Sequence, residues 1–430
     1  MRIGSPPAAY ALLAVFGVIA CASQASAQQL CSELTGNKIY GVGGSAQTPL
    51  IGQIASRLRA PANPDDQLTI IYAQPGACYA AVAFDTELSD AERALTATPT
   101  GINALYWNQG NNSGQPCTLD AGQLADFSSM QTYAETCPDY DEKPAGVGDF
   151  KGPVGTVNII VPTDSSQSSI SAEALYYLFK FGPDADIEPW TNLDYFTRRS
   201  RTSAVQLLLV KAASLLEETS GDIQFGWDAG TNGASVAAVA ASGVHAMTTT
   251  AAAVTVPNTE ATWGFVSGEN YEQNRLTLRT LAYQHTDQEC AYWPDSSESA
   301  SDKINVRIGR YFLWSSLHLY APVSGTANDL DDVENEDVRR LIGYFTGEVA
   351  VPADLPLTDI FIDNFNVPDC AMQVSRDEDL GALSSYQPEE SCTCYFEDRA
   401  TGRTDCESCE EDTDCPSSSP KCRRGFCEVQ

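Results

Sequence analysis

Histidine is scarce in this chain: His245, His285 and His318 are the only three in 430 residues, and no two stand at a metal-ligand spacing. A histidine-built zinc hydrolase or catalytic triad therefore has little to draw on. Gly-x-Ser-x-Gly is absent, and so is a phosphate loop ending in lysine. Positive charge is also short, with 25 Lys and Arg against 57 Asp and Glu and a net charge of −32. Such a surface repels nucleic-acid phosphates and anionic lipid. Past the N-terminus no apolar run approaches the ~20 residues of a transmembrane helix. The acidic run Asp329 to Asp337 lacks the glycine and closing glutamate of a calcium loop and reads as a solvated helix entry. With no base, nucleophile or metal cluster in view, the expectation is no enzyme, no cofactor and no metal.

What is present begins with a processing segment. Arg2 supplies a thin positive start, Ala8 to Ala20 a short apolar stretch, and Ala25-Ser26-Ala27 a small-residue cleavage site, so residues 1–27 read as a signal peptide. Val18-Ile19-Ala20-Cys21 also resembles a bacterial lipobox, which would make Cys21 a lipid anchor; cleavage after Ala27 is the favoured of the two readings. Either one places the mature protein in the periplasm or at the cell surface. Export in turn makes disulfides of the 14 cysteines. Six lie along the body (Cys31, Cys78, Cys117, Cys137, Cys290, Cys370) and seven crowd the tail from Cys392 to Cys427. Without Cys21 the number is odd, so one thiol is free, or a body cysteine pairs with the tail and another is left over. Cys406-x-x-Cys409 has zinc-compatible spacing, but export and acidic, serine-rich surroundings favour a small disulfide knob.

The stretch Ile39 to Leu50 reads as a strand, a glycine-rich turn (Gly43-Gly44-Ser45) and a helix start, with Thr48 as N-cap and Pro49 at the first helical position. Leu50, Ile51, Ile54, Ala55 and Leu58 then share one helical face. Amides at such a start favour an anion. Leu68 to Tyr72 is a second strand, running into the small-residue turn Gly76-Ala77-Cys78; Ala125 to Met130 is a third strand end, and Val157 to Pro162 opens a second lobe. Ser171 caps a helix through Phe179. Arg198, Arg199 and Arg201, interleaved with hydroxyls, precede a helix at Val205 to Leu216 and form a second candidate anion site, unless they pair with the abundant carboxylates. Val236 to Ala241 suits a packed helix. Arg307 to Trp314 and Leu317 to Ala321 read as late strands, Leu330 to Phe345 as a helix, and order thins beyond Val351.

In this order, Gly43-Gly44-Ser45, Gly76-Ala77-Cys78, Ala125 to Ser129, Trp190, Arg199 with Ser203, and Gly309 to Trp314 resemble the phosphate-binding proteins of bacterial ABC importers over about Lys38 to Tyr344. The tail, Asp414-Cys415 to Cys427, resembles the cysteine-rich tails of exported bacterial proteins. The resemblance implies an α/β, two-lobed periplasmic-binding-protein-like fold with a small disulfide-rich C-terminal tail. It divides the chain into lobe 1 (38–155), lobe 2 (156–270), a return to lobe 1 (271–350), an extension (351–391) and the tail (392–430). It also implies an anion held by Gly44, Ser45 and Ala46 in the first turn, Ala77 and Cys78 in the second, Ser129 in the third, and Arg199 and Ser203 from the far lobe.

The departures bear on the ligand. The family's Ser-Gly-Thr is Ser203-Ala204-Val205 here, its Gly-Ser-Gly is Gly76-Ala77-Cys78, and its recognising aspartate is Met130. A hydrogen bond to a charged group contributes about 1.5–3 kcal/mol, so these losses bear directly on phosphate affinity. The implied function is an exported solute-binding protein for phosphate or a related small anion, with ABC importer membrane subunits as partners. The alternative is an envelope or secreted interaction module that keeps the fold with a degenerate site.

Overall fold

A computed structural model describes residues 29–59, 63, 66–95, 104–215, 226–242, 258–325 and 328–429. The signal peptide, Cys21 and His245 lie outside the described residues.

The chain opens with β1 (Asn37–Gly43), buried from Ile39 onward, and passes through a tight turn into α1 (Thr48–Leu58). It then returns as β2 (Leu68–Ala73), parallel to β1 and buried throughout. This is a strand–helix–strand crossover, the connection that parallel pairing requires. Leu50, Ile51, Ile54, Ala55 and Leu58 seal α1 onto the sheet, as their spacing predicts. Thr48 does not cap the helix. A 3-10 turn at Ser45–Gln47 precedes it, and the buried Thr48 hydroxyl has no partner. β3 (Ala104–Tyr106) and β4 (Gln115–Cys117) extend the sheet beyond β2, while β5 (Phe127–Met130) lies parallel to β1 on its other side.

β6 (Val147–Pro162) joins the two halves. Beyond it come β7 (Ser169–Ser171), α2 (Ala172–Phe181), β8 (Thr197–Arg198), α3 (Ala204–Ala212), β9 (Trp227–Asp228) and α4 (Asn232–Ala240). β10 (Gly264–Ser267), α5 (Gly268–Glu272), β11 (Leu278–Thr280) and β12 (Ala282–Gln284) complete that half, and β13 (Trp314–Pro322) crosses back. From Val147 to Thr156 β6 pairs with β13; from Val157 onward it pairs with β10 and β11. One strand thus belongs to both lobes, with the handover at Thr156 and Val157. Ser171 caps α2 by accepting from the amide of Ala174 at 3.2 Å, as its position predicts.

Three corrections concern the late chain. Residues 278–313, expected in lobe 1, pack in the core of lobe 2 through Leu281, Tyr283, Val306, Tyr311 and Leu313. The strand expected from Arg307 starts only at Trp314, and Ile304–Arg307 is a single helical turn. The helix read from Leu330 is α6 (Glu336–Thr346), capped by Asn335.

The chain remains ordered beyond Val351. α7 (Leu357–Asp363) packs on lobe 1, where Phe361 meets Phe345 with ring centroids 5.4 Å apart. α8 (Thr393–Thr401) packs on lobe 2 through Phe396 and an ion pair between Arg307 and Glu397 at 3.0 Å. Among the described residues six disulfides are formed: Cys31–Cys117, Cys78–Cys137, Cys370–Cys392, Cys394–Cys406, Cys409–Cys422 and Cys415–Cys427. A body cysteine therefore does pair with the tail, and the exposed Cys290 is free. The sulfurs of Cys409, Cys415 and Cys427 lie within 4.8 Å of one another, but each is committed to a disulfide and none is available as a zinc thiolate. Among the described residues no helix is long and apolar enough to cross a membrane. The fold is α/β and two-lobed, with a disulfide-rich C-terminal segment.

Candidate anion-binding cleft

A cleft of about 330 Å³ lies between the lobes, within the range of small-molecule sites. Its lobe 1 wall is built from turns that follow parallel strands: Gly44 to Gln47 after β1, Gln74 to Ala77 after β2, and Gln131 after β5. The floor is Gly155, Thr156 and Val157 of β6 with Ser315 of β13. The lobe 2 wall is Arg199, Ser200 and Ser203 to Val205, then Gly230 to Asn232 and Ser267. Clefts at the carboxyl ends of sheet strands collect ligands because helix starts gather there. Two helices, α3 and α4, begin on the lobe 2 wall, and their first-turn amides have no partner within the helix.

Two glycines are set by close approach. A Cβ on Gly43 would lie 2.0 Å from the carbonyl oxygen of Ser129, and one on Gly155 would lie 1.6 Å from Nε2 of Gln131. The first lets β1 turn tightly against β5. The second admits the Gln131 side chain over the hinge strand, where its Oε1 accepts from Gln47 Nε2 at 3.1 Å.

The predicted residues Gly44, Ser45, Ala46, Ala77, Arg199 and Ser203 line this one cleft. Cys78 and Ser129 do not. Cys78 is bonded to Cys137, and its amide donates to the carbonyl of Thr202 at 3.4 Å. Ser129 is fully buried behind the turn, with its Oγ 2.7 Å from the Tyr72 hydroxyl. Met130, at the position of the family's aspartate, is buried against the sulfur of Cys137, so the third turn offers Gln131 instead. Sequence reasoning missed Gln47, Gln74, Gln131 and Asn232. The one available signal was Gly230-Thr231-Asn232, a glycine and a hydroxyl before a small-residue helix.

The three neighbouring arginines have separate fates. Arg198 turns to Asp228 at 3.8 Å, Arg201 is exposed, and Arg199 is 5% exposed in the cleft wall. The backbone amide of Arg199 is fixed by Gln206 Oε1 at 2.8 Å, while its Nε and Nη1 have no partner. Burial pulls the guanidinium down to about 10, with Asp228 opposing the shift, so it stays charged at neutral pH. Among the described residues lining the cleft, Arg199 carries the only charged side chain. At physiological salt the Debye length is about 8 Å, so exposed carboxylates further than that from the cleft act on it weakly. A buried cation with unpartnered nitrogens in the cleft wall is an arrangement that can hold an anion.

No protein-family model matches the chain, and no curated protein does. Among solved structures it is similar to a phosphate ABC transporter substrate-binding protein from Clostridium perfringens with bound phosphate, at 11% identity and TM-score 0.48, over 77% of this chain and 99% of that one. It is also similar to an ABC-type phosphate transport receptor from Vibrio cholerae, at 11% identity and TM-score 0.45, over 76% and 99%. A third is the regulatory domain of Synechocystis CcmR in complex with 2-PG, at 10% identity and TM-score 0.38, over 73% and 97%. The functional reading that follows therefore rests on the cleft.

Proposed function

We propose that this chain is an exported solute-binding protein that closes two lobes on a small anion, phosphate or a relative of it, for delivery to an ABC importer. The observation that carries the reading is Arg199, a buried guanidinium with two unpartnered nitrogens in a cleft that no carboxylate lines among the described residues. Asp228 offsets the burial of this charge only in part, and an anionic ligand would supply partners for the open nitrogens. β6, shared by both lobes, gives closure a hinge. Calorimetry of the mature protein with phosphate, sulfate and organic phosphates tests the reading. Binding that Arg199→Ala abolishes supports it; no response to any of these anions, with the variant indistinguishable from wild type, sinks it. The alternative, an envelope or secreted interaction module, draws on the acidic disulfide-rich tail and requires partner capture that Arg199→Ala leaves unchanged.

A further inference from the structure

We propose that α7 is a brace between the lobes. It is built into the core of lobe 1 on one face and into the core of lobe 2 on another, and it holds the cleft at a set opening until it is released from one of them. The inference concerns the mechanics of the two-lobed fold and does not depend on what the cleft binds.

Leu357, Ile360 and Phe361 of α7 pack in the core of lobe 1. Polar contacts fasten the same segment to α1: Gln53 Nε2 donates to Asn364 Oδ1 at 3.2 Å, and Arg57 donates to the Asp354 carbonyl at 3.3 Å. The residue after Phe361 goes elsewhere. Ile362 belongs to the core of lobe 2, together with Val367, Ala371, Met372 and Phe396. Successive helical residues point about 100° apart, so one short helix set between two cores can send Phe361 into one and Ile362 into the other.

On its outer side α7 meets α8, which packs on lobe 2. Arg399 Nη2 lies 2.9 Å from both carboxylate oxygens of Asp363, and the Tyr395 hydroxyl donates to Asp359. α8 is not free to follow α7 away from lobe 2. The Cys370–Cys392 bridge ties its start to the strap beside the hinge strand, where the Cys392 amide donates to the Cys370 carbonyl at 2.9 Å. Arg307, in the core region of lobe 2, donates to the Ala371 carbonyl at 3.1 Å and pairs with Glu397 of α8.

Rotation of one lobe on the other about Thr156 and Val157 must therefore pull α7 out of one core. Packed interiors do not yield continuously, so the lobes keep their angle until that contact opens. The weaker side is the one that gives. The Asp363–Arg399 pair is half exposed and contributes little by itself, whereas apolar burial scales with the area removed from water. Of the residues of α7, three bind lobe 1 through its core and Ile362 alone binds lobe 2 through its core. Ile362 is thus the residue on which the brace turns.

The test is an electron paramagnetic resonance distance measurement between two nitroxides, one in each lobe. Cys290, free and exposed beside the Tyr283–Tyr292 bridge of lobe 2, takes the first. Glu348→Cys, at an exposed position just past α6 in lobe 1, takes the second. In this labelled background the expected result is one narrow distance distribution. Ile362→Ala should broaden or displace it, and Phe361→Ala, which loosens the other side of the brace, should do the same. Ile362→Val removes a single methylene, leaves the fold intact, and should give an intermediate width. Leu178→Ala, a truncation buried in lobe 2 on α2, should lower the melting temperature and leave the distance unchanged. A distribution already broad before any brace substitution overturns the proposal. So do Ile362 variants whose distributions superimpose on the parent, and so does a broadening by Leu178→Ala equal to that of Ile362→Ala. Calorimetry of the same samples reports the anion clamp separately, so the brace can fail while Arg199-dependent binding stands.

Discussion

Val154 and Val367 exchange both backbone hydrogen bonds, each at 2.8 Å, and so tie the C-terminal segment to the strand shared by the two lobes. The tie is reinforced nearby. Arg376 lays its guanidinium 3.7 Å from the ring centroid of Trp314, the first residue of β13, and donates to the Phe312 carbonyl at 3.3 Å. Asp379 accepts from the amide of Tyr133, from Thr136 Oγ1 and from Ser315 Oγ at 2.9, 2.7 and 2.6 Å. A segment expected to be sparsely ordered is thus a strap across the hinge.

Replacing Val367 with proline removes the N–H that the Val154 carbonyl accepts from and leaves that buried acceptor unpaired. The expected loss is about 1–3 kcal/mol in urea unfolding. A midpoint equal to wild type would mean the strap contributes no stability through this pair.

Arg199→Met exchanges a buried cation that Asp228 compensates only in part for an unbranched apolar side chain that fills most of the same path. The backbone bond to Gln206 survives, since it belongs to the amide of residue 199. The unliganded variant should therefore be more stable than wild type by roughly 1–3 kcal/mol, while any anion-induced rise in melting temperature disappears. A less stable variant that still responds to anions would contradict both halves.

Breaking the Cys78–Cys137 bridge with a double alanine substitution should cost about 2–4 kcal/mol, because a long loop of the unfolded chain is released. The Arg199-dependent anion response should persist, since Cys78 gives the cleft neither a thiol nor an amide. Calorimetry of the double variant below its melting temperature decides this; loss of binding in a folded protein would return Cys78 to the site.

Glu269 fixes the sign of one pH effect. Burial raises its carboxyl above the ordinary 4.5, against the opposing hydrogen bonds from Ser267 and Asn270. Between the unfolded and the folded value the native state holds a proton that the unfolded chain has released, so native stability falls as pH rises through that window. Glu269→Gln removes this term. The stability of wild type relative to the variant should decline as pH is raised from about 4.5 and then level off, measured by urea titrations across the range. A gap that stays constant with pH would show that Glu269 ionises alike in both states.

Much of the scaffold was legible because it is local. The strand–turn–helix at Ile39 to Leu58, the Ser171 cap and the hydroxyl-rich approach to α3 depend on side-chain period, capping chemistry and small residues within a few positions. The late chain was misread for the opposite reason. Arg307 to Leu313 carries a strand's apolar content, yet it forms a turn because Tyr311 and Leu313 are claimed by the core of lobe 2. The third cleft turn was misplaced by two residues: β5 buries Ser129 and Met130, and the first residue past its end, Gln131, enters the cleft.

The sequence by itself determined an α/β chain with disulfide chemistry, a glycine turn ahead of α1, and arginines with hydroxyls ahead of α3, because each of these is set by neighbours along the chain. Only the tertiary structure decided which arginine is buried in the cleft wall, which cysteines meet, that residues 353–386 return to the hinge, and which partner holds Asn232. Those outcomes depend on strand register and on partners far away in sequence: Ser267 for Asn232, Cys137 for Cys78 and Val154 for Val367.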